Sequence, residues 1–139
     1  MCGIEGFNWD DEELVADLMQ CMEHRGPDQH DHYVGEHLSL GHRRLSILDL
    51  SEDGKQPMWD ADEKVAITFN GEIFNYEELK ADLQHYSFQS ATDTEVLLCG
   101  YIALGEVVLD KVNGQYAFAI YDGRLEELFL ARDRLVLPP

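Results

Sequence analysis

Val65-Ala66-Ile67-Thr68-Phe69-Asn70-Gly71-Glu72-Ile73-Phe74-Asn75 sets two apolar runs around an Asn-Gly pair and leads straight into Tyr76-Glu77-Glu78-Leu79-Lys80-Ala81-Asp82-Leu83. β-branched and aromatic residues suit a pleated, buried surface, and Asn-Gly readily takes a tight turn. The stretch therefore reads as a strand over 65–70, a turn at Asn70-Gly71, a short strand over 73–75 and a helix over 76–83 capped by Asn75. Downstream, Leu97, Tyr101 and Leu104 share a stripe of a helix over 93–104, with Cys99 as a small packed hydrophobe. Strands over 115–121 and 127–132 follow, joined across Asp122-Gly123 as a hairpin, with Tyr116, Phe118 and Tyr121 as core aromatics. Upstream, a strand over 3–8 precedes Asp10-Asp11-Glu12-Glu13, whose charge complements the start of a helix. That helix shows an apolar face of Leu14, Leu18 and Met22, flanked by Val15 and Met19, with Cys21 packed beside it. Arg25-Gly26-Pro27-Asp28 marks a loop over 24–32, two strands are expected around Gly41 between 33 and 47, and 51–55 reads as a surface turn. Strands in two groups with helices between them imply layered sheets flanked by helices.

A chain of 139 residues suits one domain. Its 28 acidic against 10 basic residues give a formal net charge of −18, which repels phosphate backbones and anionic lipid surfaces and excludes nucleic acid and membranes as expected partners. Such an excess also suits a salt-rich cytoplasm, where screening is short-ranged. Cys2, Cys21 and Cys99 are too sparse for a disulfide framework or a paired-thiol metal motif, which points to a reducing cytosol. No basic segment followed by an apolar run opens the chain, and no stretch approaches the ~20 apolar residues of a bilayer span.

Cys2 follows the initiator directly. Once Met1 is removed, one residue carries both a thiol and an α-amine, and an amine with a pKa of about 7.7 to 8.0 is half neutral near working pH. Nucleophile and base can then be the same residue. His24, His30 and His32 lie near Asp28 and Asp31, but structural zinc usually draws on thiolates or a helix-spaced pair, so no metal is expected and these histidines read as a surface loop.

Six motifs in order carry a family resemblance. They are Met1-Cys2-Gly3-Ile4, His24-Arg25-Gly26-Pro27-Asp28, Arg44-Leu45-Ser46-Ile47-Leu48-Asp49, Asn70-Gly71-Glu72-Ile73-Phe74-Asn75, Thr92-Asp93-Thr94-Glu95 and Phe118-Ala119-Ile120-Tyr121-Asp122. Over most of its length the chain resembles the N-terminal-nucleophile (class II) glutamine amidotransferase domain of glutamine-hydrolysing asparagine synthetases. The resemblance implies an α+β fold, a four-layer αββα sandwich of N-terminal-nucleophile hydrolase type. It also implies that Cys2 attacks the side-chain amide of L-glutamine, and that the Asn70 amide and the Gly71 N–H receive the oxyanion. Glutamine carries charges of both signs at its α-carbon: Arg44 is implied for the carboxylate, Glu72 and Asp93 for the ammonium, and Leu45, Ser46, Ile47 and Leu48 as backbone lining.

Duller readings stand beside these. A terminal Cys is often inert, Arg44 could pair with Asp49 or Glu52 at the surface, Asn70-Gly71 could be only a hairpin turn, and Glu72 and Asp93 are two carboxylates among 28. After Ala131-Arg132-Asp133-Arg134-Leu135 the family pattern continues with further strands, whereas this chain runs into Val136-Leu137-Pro138-Pro139. The expectation is an amidotransferase domain over 1–139 lacking its last strands, with exposed sheet edges that invite a homo-oligomer. No Gly-rich phosphate loop is present, so ATP and magnesium would belong to a synthetase domain or subunit elsewhere, and no cofactor is expected here. The alternative is a non-catalytic remnant or glutamine-binding regulatory module.

Overall fold

The computed structural model describes residues 2–46 and 51–134. Alternating apolar and polar positions build strands β1 (Gly3–Phe7), β2 (Gln29–Gly35), β3 (Leu38–Arg44), β4 (Met58–Trp59), β5 (Val65–Ile73), β6 (Gly114–Asp122) and β7 (Glu127–Arg132). Helices α1 (Glu12–Cys21), α2 (Tyr76–Asp82) and α3 (Asp93–Leu104) lie between them, with 3-10 turns at Glu23–Arg25, Glu52–Gly54 and Gly105–Asp110. Two antiparallel sheets result, in the orders β1-β3-β2 and β4-β5-β6-β7. Every pairing is antiparallel, so side chains on each strand alternate between two faces.

That alternation stacks four layers. Ser39, Gly41 and Arg43 of β3 face α1, where the Arg43 Nε donates to the Met19 carbonyl at 2.9 Å. Leu40, His42 and Arg44 take the opposite face, toward the second sheet: the His42 Nε2 lies 3.2 Å from the Phe69 carbonyl, and Thr68 Oγ1 donates to the Gly41 carbonyl at 3.4 Å. The far face of the second sheet supplies Ile67, Phe69, Phe118 and Ile120, which close against Leu97, Leu98 and Val108 as the main core. A smaller cluster of Leu38, Leu40 and Ala119, with Tyr33 and Tyr121 against it, lies between the sheets. The fold is thus an α+β helix-sheet-sheet-helix sandwich. Beside the small cluster, Ile4, Gly6 and Leu40 face Ala117, Ala119, Leu128 and Leu130 across an apolar cavity of about 230 Å³. Leu130 is 65% exposed there. Among the described residues no helix is long and apolar enough to cross a membrane.

Helix α1 begins as expected, with Asp11 accepting from the Leu14 amide at 2.9 Å and Glu12 and Glu13 in its first turn. Its buried residues, however, are Val15 and Met19, while Leu18 and Cys21 are exposed. The stripe facing the sheet is therefore rotated one position from the expected one. The expected loop over 24–32 instead contains a 3-10 turn and the start of β2, and His32 turns to Glu12 of α1 at 2.9 Å. Gly41 is interior to β3, where Glu5 and Val15 occupy the space a side chain would need. The strand break falls instead at Glu36-His37, His37 taking a φ of 62°. Strand β5 likewise runs unbroken through Asn70-Gly71, because its ladder to β6 continues from Val65↔Asp122 to Ile73↔Gly114. Asn75 sits at the start of α2 but makes no cap; its side chain bridges the Lys111 carbonyl and the Asn113 amide at 2.9 and 2.8 Å. Leu97 and Tyr101 are buried as expected, Leu104 is 37% exposed, and burial pushes the Cys99 thiol up to about 11.

Candidate active site

The ladder between β1 and β3 pairs Gly3 with Arg43, so the next step outward sets Cys2 against Arg44 on the inner face. Cys2 is half-buried, and its Sγ accepts from the Leu45 amide at 3.4 Å and lies 3.8 Å from the Leu45 carbonyl. The backbone of Cys2 is held too: the Arg25 Nε donates to its carbonyl at 3.2 Å. Gly26 makes this approach possible, since a Cβ there would run into the Arg43 carbonyl. Two residues on, the Asp28 amide donates to the Arg44 carbonyl at 3.1 Å and the Asp28 carboxylate accepts from the Ser46 amide at 2.7 Å. The 25–28 segment thus pins Cys2 with one residue and the backbone after Arg44 with another. Neither Arg25 nor Asp28 was singled out from the sequence for a role, although the motif that contains them was visible.

Arg43 and Arg44 are adjacent and both buried, yet alternation sends them to opposite layers. The surface alternative for Arg44 is not what the structure shows. Its Nη1 donates to Gln29 Oε1 at 2.5 Å and to the Ser51 carbonyl at 2.9 Å, and Gln29 in turn donates to Glu52. Ile47, Leu48 and Asp49 lie outside the described residues.

The second sheet brings the other group. Asn70 follows Phe69, whose carbonyl meets His42, and its even-numbered position shares the inner face with Thr68. Phe69 donates its amide to Gln56 Oε1 at 2.6 Å and Ile73 donates its amide to Asp93 Oδ2 at 2.8 Å, both on the side away from β6. By the same alternation the Gly71 N–H points away from β6 as well. Gly71 has a φ of 154°, and a Cβ at this position would strike the Gln115 carbonyl, so only glycine fits. Asp93 is buried at the start of α3, not solvated. Burial raises its carboxyl pKa, the backbone bonds from Ile73 and Thr94 oppose that rise, and the Glu72 charge adds to it. Glu72 itself is exposed. Burial also drives His42 down to about 4, so a neutral imidazole lies between the two groups at neutral pH. The structure therefore gathers Cys2, Arg44 and Leu45 directly, joins Ser46 through Asp28, and ties Asp93 to the end of the strand that carries Asn70, Gly71 and Glu72.

Known proteins are similar to this chain in sequence and in fold. The glutamine amidotransferase domain family matches residues 1–139. The chain is 42% identical to asparagine synthetase [glutamine-hydrolyzing] 1 of Bacillus subtilis (strain 168), with all of this chain and 23% of the relative covered. It is 36% identical to asparagine synthetase B [glutamine-hydrolyzing] of Escherichia coli (strain K12), with all of this chain and 26% of the relative covered. The chain thus spans about a quarter of the length of these curated relatives. Among solved structures, the glutamine phosphoribosylpyrophosphate amidotransferase of B. subtilis superposes with a TM-score of 0.74 at 19% identity, over 96% of this chain and 37% of that one. That likeness is one of fold, and the sandwich of two antiparallel sheets between helices is what the two share. With a cysteine at the head of its first strand and a family match from end to end, this chain belongs to the glutamine amidotransferase domain family.

Proposed function

We propose that the chain hydrolyses L-glutamine to glutamate and ammonia, and that the ammonia serves a separate synthetase domain or subunit making asparagine. The observation that carries this reading is the shared ladder that sets Cys2 beside Arg44 on the inner face. After removal of Met1, the α-amine of Cys2 takes the thiol proton as Sγ attacks the side-chain amide carbon. The Asn70 amide and the Gly71 N–H receive the oxyanion of the tetrahedral adduct. The amine returns the proton to the departing ammonia, a thioester remains, and water resolves it to glutamate. Arg44 holds the α-carboxylate, Asp93 and Glu72 the α-ammonium, and backbone of Leu45 and Ser46 lines the pocket. Burial lowers the basicity of His42, to about 4, and its Nε2 is already turned to the Phe69 carbonyl, which favours the terminal amine as the base. The sparse cysteines support a cytoplasmic setting, and the match to a minor part of longer relatives supports a domain that works with synthetase chemistry located elsewhere.

Incubating the purified chain with L-glutamine and measuring both products tests the reading. Glutamate and ammonia should appear in equal amounts, disappear in Cys2→Ala, and require an N-terminal mass lacking Met1. A chain with a free N-terminal cysteine that releases neither product would support a binding module instead.

A further inference from the structure

Arg44 is held by more than its own strand. Its Nη1 hydrogens are engaged by Gln29 Oε1 on β2 and by the Ser51 carbonyl. Gln29 in turn donates its amide Nε2 to Glu52 Oε1 at 2.6 Å. The same turn is fastened to β2 a second time, by the ion pair of Lys55 with Asp31 at 3.1 Å. Its buried glycine, Gly54, lies so close to the Arg44 guanidinium that a Cβ would collide with Nη2. Register places Gln29 directly opposite Arg44, so the relay is built into the sheet.

We infer that Gln29, Glu52 and Gly54 are positioning residues that aim the Arg44 guanidinium at the α-carboxylate of the substrate. The inference rests on the glutaminase reading. A guanidinium on a long side chain has many rotamers, and affinity for a carboxylate depends on how much of that freedom is removed beforehand. Gln29 suits this work because an amide both accepts from the arginine and donates to the carboxylate behind it. A carboxylate at 29 would instead neutralise Arg44, and an apolar side chain would leave Nη1 with one fewer acceptor. Gly54 sets the depth at which the guanidinium comes to rest.

Steady-state kinetics with L-glutamine and with its α-carboxamide analogue, which lacks the charge Arg44 reads, test this. In Gln29→Leu the KM for glutamine should rise about ten-fold, the loss expected for a hydrogen bond to a charged group, with kcat within about two-fold of wild type. The preference for glutamine over the carboxamide should shrink by a similar factor. Gly54→Ala should do the same by displacing the guanidinium. Glu52 is exposed, so its variants fold: Glu52→Ala should raise KM a few-fold, and Glu52→Gln, which can still accept from Gln29, should restore it. A purely structural role would lower the melting temperature and leave both KM and the preference unchanged, overturning the inference alone. A wild-type chain that neither turns over glutamine nor binds it by calorimetry would overturn the glutaminase reading, and the inference with it.

Discussion

The two halves of the sandwich are stabilised differently. The second sheet closes on α3 with a dry contact of Ile67, Phe69, Leu97, Leu98, Phe118 and Ile120, and polar groups enter it at its rim. The first sheet buries Ser39, His42, Arg43 and Arg44, and both carboxylate oxygens of Glu5 are buried without a hydrogen-bond partner among the described residues. Its stability rests on individually placed polar contacts such as Arg43 to Met19 and Ser39 to Trp9, at 2.9 and 2.8 Å. Apolar packing tolerates small displacements, whereas a hydrogen-bonded arginine does not. The first half thus sets two arginines with directional bonds, whereas the second sets its buried carboxylates, Asp93 and Glu95, at the start of α3 on the edge of an apolar core.

Perturbing each half should separate stability from chemistry. The largest loss of stability is expected from Leu97→Ala, about 2 to 5 kcal/mol in chemical denaturation, with the KM of the folded fraction unaltered. Asn70→Ala should leave the denaturation midpoint nearly unmoved and lower kcat by roughly 10²- to 10³-fold, as loss of an oxyanion donor does. Equal effects of these two variants on midpoint and turnover would erase the distinction between the halves.

Glu5 provides a subtler probe. Burial raises its carboxyl pKa from the ordinary 4.5 to about 7, with Arg43 and His32 opposing the rise. The folded chain therefore holds a proton that the unfolded chain releases, and stability should fall as pH increases from about 4.5 through 7. His42 acts in the other sense: the unfolded chain binds a proton near 6.5, the folded one only near 4, so stability falls as pH drops through that window. Glu5→Gln should abolish the loss on the alkaline side, leaving the variant more stable than wild type above pH 7 by on the order of 1 kcal/mol after solvent screening. The two slopes oppose each other over most of this range, so thermal melts of wild type and Glu5→Gln from pH 4 to 8 separate them: the variant shows the His42 slope alone. The smallest effect is expected at the open cavity, where Leu130→Lys should change stability by about 0.5 kcal/mol or less, because that side chain is already largely in water.

How far the sequence could be read follows the same division. The apolar half declared itself through alternation in 65–69 and 115–121 and through the spacing of Leu97 and Tyr101. The polar half did not. Gln29-His30-Asp31-His32 carries no apolar alternation, because its partners are Arg44, Lys55 and Glu12, and a charged strand looks like a loop until those partners are known. At Asn70-Gly71 a local preference for turning is overridden by nine successive pairings between β5 and β6. Of the expected site residues, Cys2, Arg44 and Leu45 are brought together and Asp93 is joined to β5, all legible through motif order. Arg25 and Asp28 needed coordinates, since each acts on a backbone atom more than fifteen residues away in sequence.

Arg43 and Arg44 point into different layers, so strand pairing decides which guanidinium stands beside Cys2. If β3 shifted by a single residue against β1, the circular dichroism would scarcely change, yet Arg43 or Leu45 would stand opposite Cys2 in place of Arg44. Turnover per molecule is thus a more searching gauge of correct assembly in this protein than any spectroscopic signal of its secondary structure.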